Sequence, residues 1–225
     1  GNGNFISEGT VDLSNSQKII LKGNLSNLHL NPILRQLNLA NWQRIEIKLS
    51  SNNFLLFSSS KNLLQNLEGS IPLSGSIYFV VTEEERFGIA FLRLLIEKMP
   101  NFNNLSKSLS QIVEGFSGTP ALFEGQLTIK KGIINTKNLH INNNNNQIKI
   151  NGSYDMISDL FDAKIYFYDS NNLIVEAIVL GNIDNPSIQI INDNILPKNK
   201  KNNDIKKIFE EGIQSLIDKL LRTNE

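Results

Sequence analysis

The chain has 225 residues and a mass of 25.3 kDa, is 40% apolar and 20% charged, and carries 22 basic against 22 acidic side chains. A chain of this length forms one large or two small domains and buries on the order of 70% of the surface it exposes when unfolded, which excludes wholesale disorder. Zero net charge excludes nucleic acid as the main ligand, because phosphate neutralisation needs a basic surface, and the lack of Cys excludes disulfides, thiolate metal sites and cysteine nucleophiles.

The first predicted strands cover residues 6–13 and 18–30, and Asn31-Pro32 opens a predicted helical turn over 33–39 with Pro at its first position. Ile45, Ile47 and Leu49 then alternate with Glu46, Lys48 and Ser50, and residues 54–58 and 75–82 supply further strands. Two helices are expected near 87–116. Phe87, Ala90, Phe91, Leu94 and Leu95 follow three-and-four spacing until Pro100 stops the run, and Leu105, Leu109, Ile112, Val113 and Phe116 make a second stripe.

From there the period is two. Phe123, Gly125, Leu127 and Ile129 alternate with Glu124, Gln126, Thr128 and Lys130, which places the apolar set on one face of a strand. Leu139 and Ile141 continue the pattern, the asparagine run at 142–146 predicts a hairpin loop, and Ile148, Ile150, Gly152, Tyr154 and Met156 form the next apolar set. Phe161, Ala163, Ile165 and Phe167 follow, and Asp169-Ser170-Asn171-Asn172 reads as another turn. Residues 173–180 are apolar at both phases except for Glu176, a pattern that predicts cover on both faces, before Gly181 and Asn185-Pro186 interrupt and 187–191 resumes. A Lys- and Asn-rich linker over 197–203 leads to an amphipathic helix over 204–222, capped by Asp204, whose Ile205, Ile208, Phe209, Ile213, Leu216 and Leu220 form one apolar stripe. The expected architecture is mainly β (α+β): a β-rich domain over 1–196 built as a long antiparallel meander with one apolar face, the helical insert, the linker and the C-terminal helix. The longest apolar runs, at 54–57, 77–81 and 91–96, fall short of the roughly 20 residues a spanning helix needs. The opening Gly1-Asn2-Gly3 lacks Met and a signal-type apolar core, so the chain is expected to be processed or a piece of a longer one, with any anchor or export signal upstream.

The residues offer little chemistry. His29 and His140 sit in predicted strands without a ligand partner at metal spacing and read as strand surface residues. Glu83-Glu84-Glu85 reads as a solvated turn, and Ser117-Gly118-Thr119 and Ser74-Gly75-Ser76 lack the surroundings of a nucleophile elbow. No phosphate-binding glycine loop occurs, and the glycosylation sequons at Asn24, Asn104 and Asn151 are what chance supplies in a chain of 33 asparagines. That abundance, with Lys outnumbering Arg about threefold, reads as AT-rich coding. No catalytic residue, metal ligand or cofactor is expected. What remains is geometric: a one-sided sheet larger than its helices can cover either curls onto itself around a closed core or leaves a groove for acyl chains.

Residues from about 87 to 190 resemble the C-terminal region of the AsmA-like family of bacterial envelope proteins. The resemblance rests on the helical insert ending in Phe116, the segment Phe123-Glu124-Gly125-Gln126-Leu127-Thr128-Ile129 with the turn Lys131-Gly132, and the step Gly152-Ser153-Tyr154-Asp155-Met156. Leu160-Phe161-Asp162-Ala163 and the turn Gly181-Asn182-Ile183-Asp184-Asn185-Pro186 complete it, in the family's order and over about half the chain. It implies a periplasmic, non-enzymatic body tethered to the inner membrane by an N-terminal anchor outside this sequence. The same resemblance implies an apolar β-groove along which phospholipids pass towards the outer membrane, or a role in outer-membrane assembly with envelope protein partners. On that reading Leu127, Ile129, Ile148, Ile150, Ile165 and Phe167 form the groove floor and phospholipid acyl chains are the ligand. The alternative is a structural or protein-docking module of the periplasm with a closed core and no lipid ligand.

Overall fold

The computed structural model describes residues 3–12, 18–32, 45–59, 62–79, 116, 119–182 and 187–193. Within them the chain forms ten strands: β1 (Asn4–Val11), β2 (Lys18–His29), β3 (Ile45–Ser59), β4 (Glu68–Phe79), β5 (Ala121–Lys130), β6 (Ile133–Asn143), β7 (Asn146–Asp155), β8 (Leu160–Asp169), β9 (Asn172–Asn182) and β10 (Ser187–Asp193). They pair antiparallel in sequence order from β1 to β10, one open sheet with β1 and β10 at its edges. The expected meander is therefore present, and the protein is mainly β. Asn31, Pro32 and Phe116 carry helical backbone. The remainder of the predicted turn at 33–39, of the helical insert at 87–116, the linker 197–203 and the helix 204–222 lie outside the described residues.

Two elements are longer than their alternation suggested, and both extensions turn on the same irregularity. The predicted strands at 45–49 and 54–58 are one strand, β3, carried across a bulge. Pairing with β4 jumps from Ser50↔Ser74 to Leu55↔Ser70, so β3 holds one extra residue and its apolar phase changes from odd positions to even ones. Asn53 supplies the left-handed backbone there with φ of 57°. Its N–H donates to Asn24 Oδ1 at 2.8 Å, and across the ladder Asn27, with φ of 52°, donates its N–H to Ser50 Oγ at 3.0 Å. β4 begins at Glu68 instead of residue 75 because Pro72, a residue normally kept out of central strands, sits opposite the β3 bulge where no ladder bond asks for its N–H.

A second reset lies in β6. Its pairing with β7 passes from Thr136↔Gly152 to Leu139↔Ile150, and Asn138 Oδ1 accepts the Gln126 N–H at 3.3 Å where the ladder to β5 is interrupted. Ile134 and Leu139, of opposite parity in sequence, consequently share a face. In β9 the bulge residue is Ile174, which lies between the pairs Phe167↔Val175 and Tyr168↔Leu173 and is buried.

The turns follow the residue chemistry. Lys131 and Gly132 both have positive φ, of 53° and 77°, as do Ser170 and Asn171, of 49° and 71°, which makes each two-residue hairpin turn the type I′ form that matches strand twist. The asparagine run contributes less loop than expected, since Asn142 and Asn143 belong to β6 and Asn146 to β7, leaving Asn144 and Asn145 as the turn. Asn27, Asn53, Asn62, Asn144 and Asn171 all adopt left-handed backbone. Asparagine, which tolerates that region better than other non-glycine residues, thus has a structural use that coding bias alone does not describe. The β7–β8 turn is held by Asp155, whose Oδ1 accepts the N–H of Ile157 at 2.9 Å and of Ser158 at 3.4 Å.

Two consequences are measurable. Gly132→Ala forces a side chain into the left-handed region and brings its Cβ to 2.6 Å from the Leu64 carbonyl oxygen, so denaturant unfolding should show a loss of about 1–3 kcal/mol. The Ile157 N–H and then Ser158 hold the Asp155 carboxyl below its ordinary value of 3.8, so its contribution is complete above that value and is lost as pH falls through the lowered one. The melting temperatures of the wild type and Asp155→Asn should therefore differ near neutrality and converge on acidification; a gap that stays constant with pH would rule this linkage out.

Candidate functional site

Paired residues in an antiparallel sheet share a face, so the register maps both surfaces of this one directly. One row runs Leu28, Leu49, Gly75, Phe123, Ile141, Ile148, Phe167 across seven strands. A second runs Leu139, Ile150, Ile165, Ala177, and a third runs Leu21, Leu56, Gly69, Ile129, Ile134, Tyr154, Phe161. Leu127 pairs with Ile71 on this same face. The six residues singled out from the sequence, Leu127, Ile129, Ile148, Ile150, Ile165 and Phe167, therefore lie on a single surface, with Ile148 directly opposite Phe167 and Ile150 directly opposite Ile165.

Their burial is uneven. Ile129 is buried, while the other five are only half-buried. Phe116, Ala121, Ile141 and Ile174 form a small buried cluster, against which Ile77, Phe123, Ile148, Ile150 and Phe167 pack. Leu127 and Ile165 lie outside this cluster. Phe116, from the connection between β4 and β5, is thus a local cover over one end of the rows.

Glycines on this face let neighbouring strands come together. A Cβ on Gly75 would overlap the Lys48 carbonyl oxygen and stand 2.7 Å from Phe123 Cζ, because the Phe123 ring lies over the glycine. A Cβ on Gly152 would stand 2.5 Å from both Cα and Cβ of Ala163. Ring contacts complete the apolar surface: Phe5 stacks on Phe54 with centroids 5.7 Å apart, and Tyr154 packs on Phe161 at 4.8 Å.

The opposite face is polar. Ser74, Glu124, His140, Lys149, Tyr166 and Glu176 form one of its rows. His140 thus has an acid directly across the ladder and a lysine on its other side, a juxtaposition that hairpin register creates and sequence spacing hides. A shallow hollow of about 410 Å³ opens where the β3 and β6 bulges interrupt the ladder, lined by Asn52, Pro72, Ser74, Glu124, Asn138 and His140 among others. It lies open to solvent. His29 ends β2, and the glutamates 83–85 lie outside the described residues. Leu173, Ile178 and Leu180, for which cover was expected on this outer side of β9, are half-buried.

Among the described residues no group of three or more His, Asp or Glu could hold a metal ion, and no helix is long and apolar enough to cross a membrane. No family model, curated protein or solved structure matches the chain. Among the described residues the arrangement is a broad hydrocarbon surface backed by a polar one.

The close approach at Gly75 can be tested by itself. Gly75→Ala should cost about 1–3 kcal/mol in denaturant unfolding, because the added Cβ overlaps the Lys48 carbonyl oxygen and crowds the Phe123 ring.

Proposed function

We propose that the apolar face of the sheet is a groove for phospholipid acyl chains, in a non-enzymatic envelope protein that takes part in lipid transfer between membranes or in outer-membrane assembly. The observation that carries this reading is that the apolar rows run unbroken across successive strands while Leu127, Ile148, Ile150, Ile165 and Phe167 stay half-buried. A surface of that kind gains free energy by taking hydrocarbon out of water and has no geometry that selects a headgroup. Binding is then weak per lipid and broad in specificity, as a conduit requires. The resemblance to the AsmA-like family points to the same chemistry and to a periplasmic location with an inner-membrane tether.

A second reading, a docking module with a closed core, draws on the edge strand β1, every residue of which is exposed, including Phe5, Ile6 and Val11. Such an edge suits strand addition by a protein partner.

Native mass spectrometry with lipid extraction, on the 225-residue chain expressed in a Gram-negative periplasm, separates the two. The groove reading expects co-purified phospholipid at near-stoichiometric level, lost in Ile165→Asp and Leu127→Asp while circular dichroism and melting stay close to the wild type. A lipid-free mass from well-folded protein, or unfolding of both variants through a buried unpaired carboxylate, would sink it in favour of the closed core. Ile150→Asp is less diagnostic, because Ile150 packs on the buried cluster and its loss disturbs the fold in either case.

A further inference from the structure

The two ends of the sheet, where the strands reverse, differ in chemistry. At one end the described turns are Asn144-Asn145 and Ser170-Asn171, all amide or hydroxyl side chains, joined by the Ser170 N–H donating to the Asn145 carbonyl at 2.8 Å. At the other end stand the turns at 62–67, 131–132 and 156–159; Leu63 and Leu64 stand on the first and Ile157 on the third, exposed at 48%, 50% and 51%. An isolated exposed leucine needs no explanation, but these three occupy two turns that are locked together through the turn at 131–132. The Gly132 N–H donates to the Leu67 carbonyl and the Met156 N–H to the Gly132 carbonyl, each at 3.1 Å, while Ser58 Oγ donates to the Leu63 carbonyl at 2.7 Å. The tips form a preorganised set.

Lys130 and Lys131 are exposed beside the tips, and the acids described at this end are Glu68, Asp155 and Asp159. Asp155 accepts N–H groups of its own turn, and Asp159 accepts from Tyr154 Oη at 2.5 Å and from Asn182 Nδ2 at 2.8 Å. We propose that this end of the sheet docks on an anionic phospholipid bilayer, with Leu63, Leu64 and Ile157 entering the headgroup boundary and Lys130 and Lys131 meeting lipid phosphates. Apolar tips flanked by lysines are what an interfacial anchor needs. The inference deepens the acyl-chain reading and rests on it for one step. Ile129, Ile134, Tyr154 and Phe161 form the apolar row nearest this end, so a lipid tail leaving the bilayer meets hydrocarbon from the tips onward.

The test is flotation of the 225-residue chain with vesicles of phosphatidylcholine alone or mixed with phosphatidylglycerol. The wild type should float with the mixed vesicles, and Leu63→Asn/Leu64→Asn/Ile157→Asn should lose binding by on the order of tenfold or more with an unchanged melting curve. Lys130→Glu/Lys131→Glu should weaken binding to the mixed vesicles only, and Asn145→Ala/Ser170→Ala at the opposite end should leave it unaltered. Wild-type protein that does not float, or a triple variant that floats equally well, overturns the proposal. So does a triple variant that changes only the sedimentation of the chain without vesicles, which would make the tips a self-association surface. Lipid loading from micelles separates this proposal from the groove: the triple variant should still load, Ile165→Asp should float without loading, and a wild type that floats but never loads leaves docking standing while the groove falls.

Discussion

Everything in this sheet depends on keeping one face apolar through nine successive pairings. Because side chains alternate with a period of two, an extra residue in one strand would send all later side chains to the wrong surface unless the ladder absorbs it. The protein absorbs such residues with bulges in β2, β3, β6, β9 and β10. Where β2 meets β3 the left-handed residues are Asn27 and Asn53, and side-chain oxygens of Ser50 and Asn24 take the N–H groups that the ladder leaves over. The apolar rows, the Gly75–Phe123 contact and the placement of Pro72 all follow from these phase corrections.

The same feature sets how much was legible in the sequence. Where alternation is uninterrupted, as in β5, β7 and β8, the strands and their shared face could be read directly, and all six candidate residues come from those three strands. Where a bulge shifts the phase the pattern looks like a break, so β3 reads as two strands and β4 appears to start after Pro72. The turn at 131–132 and the turn at 170–171 were readable because Gly, Asn and Ser mark positive φ, whereas the role of Asn27 and Asn53 inside strands carries no local signal. Register also brings together residues far apart in sequence, such as Glu124 and His140, which no spacing rule would join.

The described residues are distinguished by surface character more than by any single group. The described residues present hydrocarbon on one side and polar side chains on the other, and the hollow beside Glu124 and His140 lies where two neighbouring bulges interrupt the ladder. An apolar face shared by many strands tolerates many conservative exchanges at its individual positions.

The strictly sequential strand order has a consequence for how such a protein grows. Each strand hydrogen-bonds only to its neighbours in the chain, including β4 and β5, which the connection over 80–120 leaves adjacent. Stability then approximates a sum of local strand-pair terms, as in repeat proteins, and folding can spread outward from any well-formed hairpin. Adding or deleting a hairpin at either edge changes the length of the apolar surface without requiring a new core. The architecture is modular along one axis, and the reach of its hydrocarbon face is set by strand number alone.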